Sequence, residues 1–167
     1  MVLAGAPLGM RFRIFDPSPD ACAGQLAPLV TGAFDDLAAL AEFAASVDVV
    51  TFDFENVPAA SLQALSAHTP IFPNARALAL AQDRLSEKQL FGCLGIALPP
   101  YADIDSLATL QDKVAEFGMP CILKTRRLGY DGKGQFRIRQ PGDVAAAWQA
   151  LGEQVTRTGL ILEGFVH

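Results

Sequence analysis

Three glycines in six positions, Gly129, Gly132 and Gly134, lie between two segments that both read as β-strands, 121–125 and 135–139. Strands this close in sequence, followed by a helical pattern and one more strand, predict an antiparallel α+β arrangement for this part of the chain. Glycines at such spacing let backbone N–H groups approach an anion closely. Lys124, on the strand before the loop, can reach phosphate oxygens from the side. No Gly-Lys-Ser/Thr precedes a helix, so this is not a Walker loop. It reads as a flap able to fold over a nucleotide, and the structural alternative is a wide hairpin turn that uses glycine for positive φ. Within the loop, Asp131 has cationic neighbours and could accept hydrogen bonds from an amine-bearing substrate, or simply cap its own turn. Tyr130 could stack on a ring or merely cover the loop.

The elements around the loop follow from pattern. Residues 106–117 and 142–151 predict helices, the first ending at Gly118 and the second carrying Asp143 in its first turn. Residues 160–163 predict a last strand ending at Glu163, whose carboxylate could meet ribose hydroxyls or water. Residues 75–94 read as helical with a break near Gln82 and Asp83.

The first half is patterned differently. Residues 11–15 alternate polar and apolar up to Asp16, and 49–52 form a β-branched and aromatic run, which predicts a buried strand. Residues 35–46 place Leu37, Leu40, Ala41 and Ala44 on one helical face. Pro58 is expected in the first turn of a helix reaching about residue 67, followed by a short strand at 71–72. Strands alternating with helices imply a parallel sheet with right-handed crossovers. The boundary between the two organisations is placed near residue 80. The turn 52–58, where a strand hands over to a helix, offers Glu55 and Asn56 as substrate contacts, with helix capping by Asn56 as the alternative. Asp16 also closes a strand, but no G-x-G-x-x-G precedes it as a dinucleotide site would require.

Charge sharpens the contrast. Arg11, Arg13 and Arg76 face eight acids in residues 1–80, which carries the whole net charge of −5, whereas residues 81–167 balance. In that neutral half Lys124, Arg126, Arg127, Lys133, Arg137 and Arg139 surround one acid in sequence, Asp131. A local basic patch of this kind suggests a small anionic ligand, or a solvated basic hairpin, and not a nucleic-acid surface. With 51% hydrophobic and 19% charged residues the chain is neither a disordered tail nor a membrane span. Its first residues lack the pattern of a signal peptide. Cys22, Cys93 and Cys121 form no CxxC pair and are expected to be reduced, small buried side chains in a cytoplasmic protein. Two histidines, His68 and His167, cannot build a histidine-based metal site with them.

The stretches ALAQDRLSEKQLF (79–91), ILKTRRLGYDGKGQFRIR (122–139), FDFENVP (52–58), DPSPDACAGQLA (16–27) and LILEGFV (160–166) resemble, in order, the N5-carboxyaminoimidazole ribonucleotide synthases of the ATP-grasp superfamily. The resemblance implies an α/β fold, with a Rossmann-like pre-ATP-grasp domain (1–80) and then the α+β small lobe of an ATP-grasp domain (81–167). It implies ATP-dependent carboxylation of 5-aminoimidazole ribonucleotide by bicarbonate in purine biosynthesis, with ADP and phosphate released. It assigns the nucleotide to Arg84, Lys124, the loop Gly129, Tyr130, Asp131, Gly132, Lys133, Gly134 and Gln135, and the segment Glu163, Gly164, Phe165 and Val166. It assigns aminoimidazole ribonucleotide to Glu55, Tyr130 and Asp131.

Departures from the family pattern carry further expectations. The family's first strand and GGGQLG-type loop have no counterpart here, and Leu128 and Gly164 stand where glycine and an acid are common. The Mg²⁺ ligands and the bicarbonate-side basic residues are expected in a second lobe beyond His167, so the chain is expected to be an inactive fragment of a homodimeric parent, with no catalytic residue of its own. The alternatives are another ATP-grasp ligase and a non-catalytic nucleotide-binding module. Neither a nucleic acid nor a membrane is expected as a partner.

Overall fold

In the computed structural model, which describes residues 1–129 and 132–166, the chain divides into two compact units, Met1–Ala79 and Leu80–His167. Among the described residues no helix is long and apolar enough to cross a membrane.

The first unit opens with a short helix, α1 (Val2–Gly5), and a parallel strand pair, β1 (Ile14–Asp16) and β2 (Leu29–Thr31), in register Ile14 to Leu29 and Asp16 to Thr31. Helix α2 (Leu37–Ala44) is capped by Asp36, whose carboxylate accepts from the Ala39 amide at 3.0 Å. It buries Leu40 and Ala44 against Leu62 and Leu65 of α3 (Ala59–Leu65), together with Val50, Val57, Ile71 and Leu78. Phe15 of β1 covers this core edge-on to Phe43, with ring centroids 5.5 Å apart.

Three expectations for this unit need correction. Neither residues 49–52 nor residues 71–72 form a strand: Val50 makes one parallel bridge to Ile71, and Val49 is exposed. The partner segment explains this in one direction: Val50 donates to Pro70 O and accepts from Phe72 N, and the next donor toward Asp48 would be the nitrogen of Pro70, which carries no hydrogen. Pro58 is the N-cap of α3 and lies outside its first turn.

The helical stretch expected over 75–94 is two helices, α4 (Ala75–Ala81) and α5 (Arg84–Cys93), interrupted where the break was predicted. The second unit is built on β3 (Tyr101–Ile104), β4 (Cys121–Thr125), β5 (Gln135–Ile138) and β6 (Leu160–Gly164), all antiparallel, in spatial order β3-β6-β4-β5. Strand β3 was missed in the sequence because its four residues, Tyr-Ala-Asp-Ile, carry few strand formers and follow two prolines.

Alternation gives this sheet two unlike faces. Cys121, Leu123, Ile138, Leu160, Leu162 and Ile104 point to one side and are closed by Leu110 and Val114 of α6 (Leu107–Phe117) and Val144 and Ala147 of α7 (Asp143–Leu151). The register puts Tyr101, Asp103, Glu163, Lys124, Gln135 and Arg137 on the opposite side. Burial drives the first face together, while the second mixes these polar side chains with Ile122 and the fully buried Ile161. Of the cysteines only Cys121 is buried; Cys22 and Cys93 are exposed, contrary to expectation.

Candidate functional site

The site grows from the polar face of the second unit. Lys124 and Glu163 lie diagonally across neighbouring strands, since Glu163 stands opposite Ile122 and Lys124 opposite Ile161. Their side chains meet: Lys124 Nζ donates to Glu163 Oε2 at 3.1 Å. The same oxygen receives Lys88 Nζ of α5 at 3.2 Å. Glu163 is buried, with 8% exposure, so the pair of ammonium groups compensates a carboxylate that water hardly reaches. One negative charge opposes two positive ones, and this corner of the site therefore keeps a positive excess.

Helix α5 adds a third cation. Arg84, at the first turn of α5, sends Nη2 to the Gly129 carbonyl at 3.1 Å. With Lys124, Gly129, Gly132, Lys133, Gly134 and Gln135 it lines an open pocket of about 60 Å³. Gly134 has φ of +69°, and its amide neighbourhood is tied to the sheet because Thr125 N donates to Gly134 O at 2.8 Å. Glycine is required there: a Cβ would lie 2.6 Å from Thr125 Oγ1, a buried hydroxyl that finds no hydrogen-bond partner among the described residues. Leu128 adopts φ of 61°, a left-handed conformation that suits glycine.

Below the pocket, Asp83 and Arg126 brace α5 against β4. Asp83 caps α5 through the Leu85 and Ser86 amides and accepts from Arg126 Nη2 at 2.7 Å and Nε at 3.0 Å. Arg126 also reaches Asp103 at 3.2 Å, and its carbonyl accepts from the Arg84 amide at 3.0 Å. Burial pushes the Asp83 carboxyl up, but the Arg126 hydrogen bonds and charge, with the two capping amides, outweigh it and hold it below the ordinary range. The Asp83 hydrogen bond, only partly opposed by burial, in turn pushes the Arg126 guanidinium further up.

The sequence-predicted residues thus divide. Arg84, Lys124, Gly129, Gly132, Lys133, Gly134 and Gln135 share one pocket, and Glu163 is joined to it through Lys124. Phe165 lies under the Arg137 guanidinium at 4.4 Å, and Val166 is exposed. Gly164 leaves no room for the acid common in the family, because a Cβ would meet Pro100 Cγ at 2.8 Å. Glu55 is an exposed residue of the first unit, and Asn56 does not cap α3, whose N-cap is Pro58. Tyr130 and Asp131 lie outside the described residues. Among the described residues Lys124 pairs with Glu163, and Arg126 with Asp83 and Asp103.

Lys88, Asp83 and the bracing role of Arg126 were not found from sequence. The spacing of Arg84 and Lys88, four residues on one helix, was the available signal.

Residues 1–82 match the family described as the ribonucleotide synthetase preATP-grasp domain, and residues 89–167 match the ATP-grasp domain. The N5-carboxyaminoimidazole ribonucleotide synthase of Pseudomonas aeruginosa is 48% identical over 166 residues, which is 99% of this chain and 45% of that protein. The crystal structure of the synthetase from Thermus thermophilus superposes with a TM-score of 0.88 at 45% identity, over 99% of this chain and 43% of the other. That of the Staphylococcus aureus enzyme complexed with ADP gives 0.92 at 28% identity, over 99% and 44%. The chain spans about half the length of the curated relatives it matches.

Proposed function

Because the chain belongs, by homology along nearly its whole length, to the N5-carboxyaminoimidazole ribonucleotide synthase family, we propose that its second unit binds the triphosphate of ATP. In this reading it serves the ATP-dependent carboxylation of 5-aminoimidazole ribonucleotide by bicarbonate, releasing ADP and phosphate, in purine biosynthesis. Residues 1–80 act as the pre-ATP-grasp domain and 81–167 as the small lobe of the ATP-grasp domain. The observation that carries this reading is the meeting of Lys124, Glu163 and Arg84 beside a glycine loop. Cations and backbone amides set around one pocket offset the charge of phosphate oxygens, before and during its transfer.

Each residue has a role in this reading. Lys124 and Arg84 hold phosphate oxygens, and the loop from Gly129 to Gln135, which includes Tyr130 and Asp131, covers them. Glu163 and the segment Gly164, Phe165 and Val166 line the adenosine side, and Glu55, Tyr130 and Asp131 receive the aminoimidazole ribonucleotide. A relative crystallised with ADP is in keeping with the nucleotide assignment. Among the described residues no three carboxylate, histidine or cysteine side chains converge. These residues do not fit a protein-held Mg²⁺. The expected setting is the cytoplasm, with a homodimeric full-length enzyme.

Isothermal titration of the chain with ATP tests the site. Lys124→Ala is expected to weaken binding roughly tenfold or more, the loss of one charge-assisted hydrogen bond. An unchanged dissociation constant would remove Lys124 from the site. In a chain extended to the full length of its relatives, ADP release that requires both aminoimidazole ribonucleotide and bicarbonate tests the reaction, and release without either substrate would overturn it.

A further inference from the structure

Two lysines share one oxygen of one buried carboxylate, and the arrangement is asymmetric. Lys124 lines the pocket beside the glycine loop, whereas Lys88 does not. Lys88 has a second attachment instead: its ammonium sits 5.8 Å from the centroid of the Tyr101 ring. Tyr101 is the residue paired with Glu163 in the β3–β6 register, so ring and carboxylate form one cradle for the Lys88 ammonium. Both lysine side chains are largely withdrawn from water, with exposures of 12% for Lys88 and 19% for Lys124.

We propose that Lys88 is a positioning residue for nucleotide binding: it keeps Glu163 neutralised so that Lys124 can leave that carboxylate for a phosphate oxygen. The inference rests on the nucleotide reading given above. Without Lys88, moving Lys124 onto phosphate would strip a buried carboxylate of its remaining ammonium partner among the described residues, which is costly in a poorly hydrated place. With Lys88 present, the carboxylate keeps a counter-charge throughout. The spare positive charge of the unliganded trio then becomes the charge that meets the incoming anion. Lys88 need not touch the nucleotide to do this.

The test is a binding cycle on the 167-residue chain, with ATP as the probe in isothermal titration. Lys88→Met is expected to raise the dissociation constant roughly tenfold, while Lys88→Arg, which retains the charge, restores most of the affinity. Glu163→Gln removes the carboxylate that needs a partner, so adding Lys88→Met to it should cost little further affinity. A purely structural role for Lys88 would lower the melting temperature of both Lys88→Met proteins and leave the coupling with position 163 at zero. Should Lys88→Met not fold, Lys88→Gln serves in its place. If the unaltered chain binds ATP and loses affinity with Lys124→Ala, yet Lys88→Met and Lys88→Gln bind as tightly as the unaltered chain, the inference is overturned and the nucleotide reading stands. Equal losses in the Glu163 and Glu163→Gln backgrounds would also overturn it. Absence of ATP binding by the unaltered chain removes both.

Discussion

Gly134 and Leu128 are two loop positions where backbone conformation constrains the side chain, and they pull in opposite directions. At Gly134 a positive φ coincides with a Cβ position 2.6 Å from Thr125 Oγ1. Gly134→Ala should therefore cost about 1–3 kcal/mol in urea unfolding and weaken ATP binding as the loop shifts. An alanine protein as stable as its parent would contradict this geometry. At Leu128 the same left-handed region is occupied by a branched, exposed side chain. Leu128→Gly removes about 1–2 kcal/mol of conformational cost and adds about 0.5–1 kcal/mol of chain entropy. The expected net gain is modest, and the measurement is a raised urea midpoint at unchanged m-value.

At the scale of elements, the contact between α5 and β4 depends on Asp83 and Arg126. Asp83→Asn keeps a good N-cap but gives up the charged fork to Arg126. It should lower unfolding free energy by about 1–3 kcal/mol, whereas loss of the cap alone would cost less. The same residue makes a pH prediction. Its folded-state carboxyl is held below the ordinary aspartate value of about 3.9, so its stabilising effect is complete above that value and fades as pH falls through the lower, folded one. Unfolding curves of the parent should therefore lose stability below about pH 4, and Asp83→Asn should show a shallower loss in that window. Identical pH profiles for the two proteins would exclude Asp83 as a contributor.

At the scale of the whole molecule there are two cores, and each answers for its own unit. Leu123 is fully buried in the centre of the four-stranded sheet, and Leu62 belongs to the separate core of the first unit. Leu123→Ala should cost about 2–5 kcal/mol, and hydrogen exchange should report the loss first at amides of β3, β4, β5 and β6. Loss of protection beginning in α2 and α3 would contradict this separation of cores. The division of charge follows the same line, since the net negative charge resides in residues 1–80 and the balanced segment carries the pocket beside the glycine loop.

Local information decided much of this protein. The glycine spacing with a lysine before it, the antiparallel strand pair around it, the break at Gln82 and Asp83 and the change of organisation near residue 80 are all properties of short windows, where periodicity and turn chemistry act directly. Lys124 and Glu163 were legible as candidates for that reason, whereas Arg84 came only from the family resemblance. Tertiary structure decided the partnerships: which acid neutralises Lys124, that Lys88 shares it, and that Arg126 serves Asp83. It also decided that Val50 makes one bridge in place of a strand. These contacts join positions about 40 residues apart, as in Lys124 with Glu163 and Asp83 with Arg126. Only strand register and helix placement bring such positions within hydrogen-bonding range, and a window of sequence contains neither.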